Sequence, residues 1–151
     1  MILPALILAL MVQAAEDGPQ PIERQEPMYP AVGAQFGIQA NCRARFDVTP
    51  QGRAENICVA CGTTAPADLP SSAADYVAQQ FINASRDAMA AWRYTAAPET
   101  RVGVETQFVF RLMEDDGTPM EGDVDTPSLD TCDSNRISYL STQTPQAQGL
   151  N

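Results

Sequence analysis

Residues 38–61 read IQANCRARFDVTPQGRAENICVAC, and this stretch decides the fold. Ile38, Ala40, Cys42, Ala44, Phe46 and Val48 alternate with Gln39, Asn41, Arg43, Arg45 and Asp47. Successive side chains of a strand point to opposite faces, so the first set predicts a core face and the second a wet face. Thr49-Pro50-Gln51-Gly52 then supplies a turn, in which proline pre-sets φ and glycine accepts a positive φ. Residues 53–61 read as the return strand, with Ile57, Val59 and Cys61 on the core face. The pair predicts an antiparallel hairpin.

Upstream of the hairpin, Tyr29-Pro30 opens a short helix-compatible stretch that runs to Phe36 and is stopped by Gly37. Residues 15–27 are polar and proline-bearing, which reads as a linker. Downstream, residues 62–70 read as loop, and Ser72-x-x-Asp75 reads as a capping box opening a helix. Val77, Phe81, Ala84, Ala88 and Trp92 recur at spacings of three and four, a core stripe on one helical face. Gln79, Asn83, Arg86 and Arg93 take the wet side, and the helix must end before Pro98. Residues 102–112 alternate again: Val102, Val104, Thr106, Phe108, Phe110 and Leu112 inward, Glu105, Gln107 and Arg111 outward. The expected fold class is therefore α+β. A three-stranded antiparallel sheet, ordered in sequence as hairpin, helix, strand, carries the helix on one face.

Composition sets the function classes. The 151 residues hold no His, and all nine basic residues are Arg. Imidazole acid–base chemistry, a His-paired nucleophile, a lysine Schiff base and a Walker-type phosphate lysine are all excluded. The remaining carboxylates cluster outside the folded part, so an enzyme is not expected, and neither a cofactor nor a metal. A formal charge of −10 argues against nucleic acid as a partner. Residues 114–133 carry eight acids and no base, which predicts a flexible acidic tail over residues 113–151.

The apolar run of residues 2–12 is shorter than the roughly 20 residues a membrane helix needs. With Val12-Gln13-Ala14 as a small-x-small site, residues 1–14 read as a signal peptide, or else as a short anchor giving membrane association. Export to the periplasm or cell envelope favours disulfides among Cys42, Cys58, Cys61 and Cys132, for which three pairings exist. Zinc is disfavoured because CxxC occurs once, and a redox CxxC because this one ends a strand instead of opening a helix.

Pro27-x-Tyr29-Pro30, Phe36-Gly37-Ile38, the run Arg45 to Arg53, Asn56-Ile57, Ala88-x-x-x-Trp92-Arg93-Tyr94 and Val104-x-Thr106-x-Phe108-x-Phe110 follow one another in an order that resembles the C-terminal domain of TonB-type energy transducers. The resemblance spans residues 27–112, and the domain is expected over residues 28–112. It implies a hairpin, a helix and a further antiparallel strand. It also implies a protein partner, the N-terminal segment of an outer-membrane transporter, added as a strand beside the last strand. On that basis the partner-binding residues are Pro27, Tyr29 and Pro30 before the hairpin, with Val104, Glu105, Thr106, Gln107, Phe108 and Arg111 on the last strand. The alternatives are a membrane-anchored transducer component and an envelope structural protein whose acidic tail makes the contacts. The linker of residues 15–27 reaches about 40 Å when extended, short for a spacer crossing the periplasm.

The resemblance further places Cys42 and Cys61 where some family members carry cysteines. With Val48 opposite Arg53, Cys42 faces Val59 and Cys61 lies one same-face step along. Cys58 then points to the other face, toward Cys132. A Cys58–Cys61 bridge is the rival.

Overall fold

The computed structural model describes residues 18–130 and residue 132. The expected leader, residues 1–14, lies outside the described residues, as does the chain after 132. In chain order the elements are β1 (Pro21–Glu23), α1 (Ala31–Gln35), β2 (Ala40–Val48), β3 (Ala54–Thr63), α2 (Ser71–Ala90), β4 (Arg93–Tyr94) and β5 (Arg101–Phe110). The protein is α+β: β3, β2 and β5 form an antiparallel sheet in that spatial order, and α2 lies across its inner face. β1 and β4 pair separately, so the stretch read as linker contributes a short strand.

The hairpin turns where Pro50 and Gly52 place it. Gly52 donates to the Thr49 carbonyl at 2.9 Å, and its φ of +83° is one that glycine adopts without strain. Its register differs from the expected one. Val48 pairs with Ala54, one residue further on, and a bulge between Arg45 and Asp47 adds one more residue on β3. Asn56 sits in that bulge with φ +51°. The two single-residue offsets sum to an even number. Beyond the bulge, Ile57, Val59 and Cys61 therefore keep the face that alternation assigned to them, and Cys42 now lies directly opposite Cys61.

A second bulge lies on the other side of β2, between Phe46 and Val48, where β5 passes through Gly103 at φ +69°. This bulge turns Val102 out to solvent, at 73% exposure, instead of onto the core face. Asp47 ties both bulges down. One carboxylate oxygen accepts from the Asn56 side-chain amide at 2.9 Å, the other from the Gly103 backbone at 3.0 Å. Asp47 is buried and acceptor-rich, so it satisfies the Gly103 N–H at the broken ladder and also holds the Asn56 side chain.

Ala40, Cys42, Ala44, Phe46 and Val48 are buried on the inner face of β2. The small side chains at 40, 42 and 44 leave room for α2, whose Val77, Phe81, Ser85, Ala88 and Met89 are buried. Ala84, expected in the stripe, is only half-buried, and Ser85 takes the central place with its hydroxyl bonded back to the Phe81 carbonyl. The helix starts at Ser71 after Pro70, with no side-chain cap, so the expected Ser72–Asp75 capping box does not form. Phe81 and Phe110 meet edge-on at 5.0 Å, and Phe46 meets Trp92 at 6.0 Å. Such pairs add about 0.5–1.5 kcal/mol each beyond their burial.

The acidic segment after β5 does not leave the sheet at once. It turns at Gly117, bridges Met113 to Pro119, and returns over the outer face of β2 and β3. Gln39 accepts from the Leu112 backbone at 2.8 Å, and its amide reaches the Met120 carbonyl at 3.4 Å. Asn41 donates to the Val124 carbonyl at 2.7 Å. Leu129 is buried, and Cys132 bonds to Cys58. Composition alone gives this strap too little apolar surface to stay in place. Two buried amides, Gln39 just before β2 and Asn41 within it, and a cross-link supply what its own side chains lack.

Candidate functional site

β5 is an edge strand. β2 pairs with one side of it, and among the described residues no strand pairs with the other. Such an edge presents a row of backbone N–H and C=O groups, and proteins usually cover it. Here the chain just before Tyr29 runs alongside without closing onto it. No backbone hydrogen bond joins residues 24–29 to residues 107–111 among the described residues. Between them lies an open groove of about 560 Å³.

The wall opposite the strand is held by Trp92. Its indole Nε1 donates to the Gln25 carbonyl at 2.7 Å, and the Arg24 guanidinium lies over its ring at 4.3 Å. Arg24 also donates to the Thr106 hydroxyl at 2.9 Å, closing one end of the groove. Trp92 is buried against Phe108 at 5.5 Å, so the wall is referenced to the core. This rigid backing is what a loop of polar residues could not provide by itself.

Tyr29 closes the floor at the other end. Its ring stands edge-on to both Phe81, at 5.7 Å, and Phe110, at 5.8 Å, and its hydroxyl donates to the Ile38 carbonyl at 2.7 Å. Burial pushes the phenol above its ordinary value, partly offset by the nearby Arg111 guanidinium. Arg111 lines the same end and donates to the Gly122 carbonyl of the strap at 3.1 Å. Arg24 and Arg111 stand toward the two ends, and Glu26 is the single acid in the lining.

Of the residues expected at the interface, Pro27, Tyr29, Gln107, Phe108 and Arg111 are brought together around this groove. Thr106 marks its end through Arg24. Pro30 lines a second groove of about 500 Å³ between α1 and α2, which shares Tyr29 with the first and opens between Met28 and Tyr76. Val104 packs against the core. Glu105 is on the outer face, bonded to Arg45 at 2.9 Å and Arg43 at 3.3 Å. The Arg45 hydrogen bond, more than any other influence, holds its carboxyl below the usual range.

Arg24, Gln25 and Glu26 escaped sequence reasoning because they lie in a stretch whose composition signals only a linker. The signal that could have found them is the pairing of Pro21–Glu23 with Arg93–Tyr94, which the short polar run does not advertise. Trp92 was read as core, and it is also the wall of the groove.

The Cys42–Cys61 disulfide spans β2 and β3 on the core face, with Cα atoms 4.1 Å apart. Cys58–Cys132 lies on the outer face and fastens the strap. Among the described residues no group of His, Cys, Asp and Glu is arranged to hold a metal ion, and no helix is long and apolar enough to cross a membrane.

Comparison with known proteins gives a consistent result. The chain is 30% identical to Protein TonB of Escherichia coli strain K12 over 101 residues, 67% of this chain and 36% of that protein. It is 30% identical to Protein TonB of Salmonella typhimurium over 95 residues, 63% of this chain and 34% of that protein. With Protein TonB of Klebsiella pneumoniae the identity is 33% over 99 residues, 65% of this chain and 35% of that protein. The chain thus spans about a third of the length of these relatives. The solution structure of the Pseudomonas aeruginosa TonB C-terminal domain aligns with a TM-score of 0.46 at 23% identity, covering 66% of this chain and 91% of that one. No protein-family model matches the chain.

Proposed function

We propose that this chain, which carries a TonB-like C-terminal domain, is a binding module of the cell envelope that takes part in TonB-dependent transport across the outer membrane. It receives an extended segment of an envelope partner, in this reading the N-terminal segment of an outer-membrane transporter, as an added strand on β5. The observation that carries this is the open β5 edge facing a groove whose far wall Trp92 holds in place. Strand addition draws its affinity from backbone hydrogen bonds and its selection from pockets for alternate side chains. A chain without His or Lys is suited to that work, since the recognising groups are main-chain amides and carbonyls.

Tyr29 and Pro27 sit where such a strand would touch the segment before α1, and Gln107 and Phe108 offer the strand itself. Val104, Glu105, Thr106 and Pro30 flank that slot. In this reading the protein works in the periplasm, with residues 1–14 removed or serving as an anchor.

The test is a photo-crosslinking capture from intact envelopes, with the crosslinker at Gln107 and, as a control, at Glu55 on β3. Capture of a transporter from position 107 and not from 55 supports strand addition. Equal capture from both, or none from 107, overturns it.

A further inference from the structure

The groove beside β5 runs against the net charge of the chain. The chain carries a formal charge of −10, yet two of its nine arginines border this one slot and a single acid, Glu26, joins them. Arg24 is bonded to Thr106 at the level of the middle of β5, and Arg111 follows the strand's end. From residue 106 to residue 111 is five strand steps, about 17 Å. Residues five apart on a strand point to opposite faces. That matches the two arginines: Thr106 is on the inner side and Arg111 on the outer.

Each arginine is also positioned. Arg24 rests on the Trp92 ring at 4.3 Å, and Arg111 is braced by the Gly122 carbonyl of the strap at 3.1 Å. A guanidinium has five donors in a fixed fork, so these contacts leave it able to accept a carboxylate as well.

We propose that the slot selects an extended partner segment bearing two carboxylate side chains five residues apart, one received by Arg24 and the other by Arg111. This rests on the strand-addition reading above and adds to it the chemistry of the partner. The negative surroundings do not cancel the preference. Distant exposed charges are largely screened beyond a Debye length of about 8–10 Å, whereas contact pairs in a groove are screened much less. The backbone ladder supplies affinity to any extended segment, and the two arginines discriminate among segments. The strap then has a part in recognition, because it holds Arg111 through Gly122, and the Cys58–Cys132 bond keeps the strap in place.

Trp92 is the only tryptophan in the chain and lines the groove, so its fluorescence reports occupancy. The experiment titrates the oxidised full chain with three blocked six-residue peptides. All share an alternating Val/Thr centre, and the first and sixth positions are both Asp, both Asn or both Lys. The Asp peptide is expected to bind roughly tenfold more tightly than the Asn peptide, the joint effect of two half-shielded ion pairs, and the difference should shrink in high salt. Arg24→Gln and Arg111→Gln should each remove about a threefold share of that preference, read within each variant as the ratio of Asp-peptide to Asn-peptide affinity. Equal affinity of the Asp and Asn peptides, or a preference for Lys, overturns the charge selection and leaves strand addition standing. If no peptide changes the Trp92 signal, and peptide amides show no protection beside β5, both readings fall. Concentration-dependent self-association that blocks the peptides would make a second copy the occupant, and would also overturn it.

Discussion

The indole Nε1 of Trp92 holds the Gln25 carbonyl at 2.7 Å, so a core residue fixes the position of a backbone segment that has no ladder of its own at that point. Trp92→Phe keeps most of the aromatic packing and removes only this donor. We expect a loss of about 1 kcal/mol in denaturant unfolding, with faster amide exchange in residues 24–26. Exchange unchanged in that segment would show that the bond does not hold the wall.

Gly52→Ala tests the hairpin turn. A Cβ there would lie 2.0 Å from the Tyr94 carbonyl oxygen, on a backbone with φ +83°. The obstacle is main chain, so no rotamer change relieves it. The expected cost is more than about 3 kcal/mol, visible as a large drop in melting temperature. A variant within about 1 kcal/mol of the parent would contradict the close approach of the two segments.

Removing the two disulfides separately should produce different phenotypes. Cys42 and Cys61 are 19 residues apart, Cys58 and Cys132 are 74 apart. Chain entropy gives about 3 kcal/mol for the shorter loop and about 4 kcal/mol for the longer. The sites of action differ more than the sizes. A Cys58→Ser/Cys132→Ser double variant should leave the sheet folded and open the strap to an acid-specific protease at Glu121 and Asp123. A Cys42→Ser/Cys61→Ser variant should destabilise the core and leave the strap protected while folded. The check is limited proteolysis followed by mass spectrometry.

The pH dependence has a definite sign at each end. The Glu105 carboxyl is held below its ordinary 4.5 by Arg45, so its contribution is present above that value and lost as pH falls below it. Glu105→Gln should flatten that part of the acid limb. Burial raises the Tyr29 phenol above 10.0, so the folded state holds that proton longer and stability declines as pH rises past 10.0. Tyr29→Phe should soften the alkaline limb, measured by urea midpoints across the range.

The hairpin, the helix stripe and the last strand were legible because each obeys a single period over a long run. Alternation from Ile38 to Val48 needs no tertiary information, and Phe46 and Phe108 fall on the inner face it assigns. The bulges at Asn56 and Gly103 were not legible. They interrupt the period by one residue each, and Asp47, buried between them, bonds to both. Val102 was misassigned for that reason. The groove was half legible. Its strand side follows from the edge position of β5, but its wall depends on a tryptophan bond to a backbone carbonyl 67 residues away. The strap escaped for a related cause, since the buried amides of Gln39 and Asn41 hold it and acidic composition hides that support.

The single extra residue at Asn56 has a bearing on oxidation that goes beyond geometry. Without it, the pairing of Val48 with Ala54 would continue unbroken along the hairpin. Cys42 would then face Ala60, Cys61 would point outward, and Cys58 would turn beneath α2. The thiols would meet different partners, and on the outer face Cys132 would find Cys61 in place of Cys58. A chain emerging reduced can explore several sulfur pairings, and the bulge sorts them by making one arrangement compatible with a closed core. Asn56 makes no disulfide, yet its place in the strand decides which cysteines face one another.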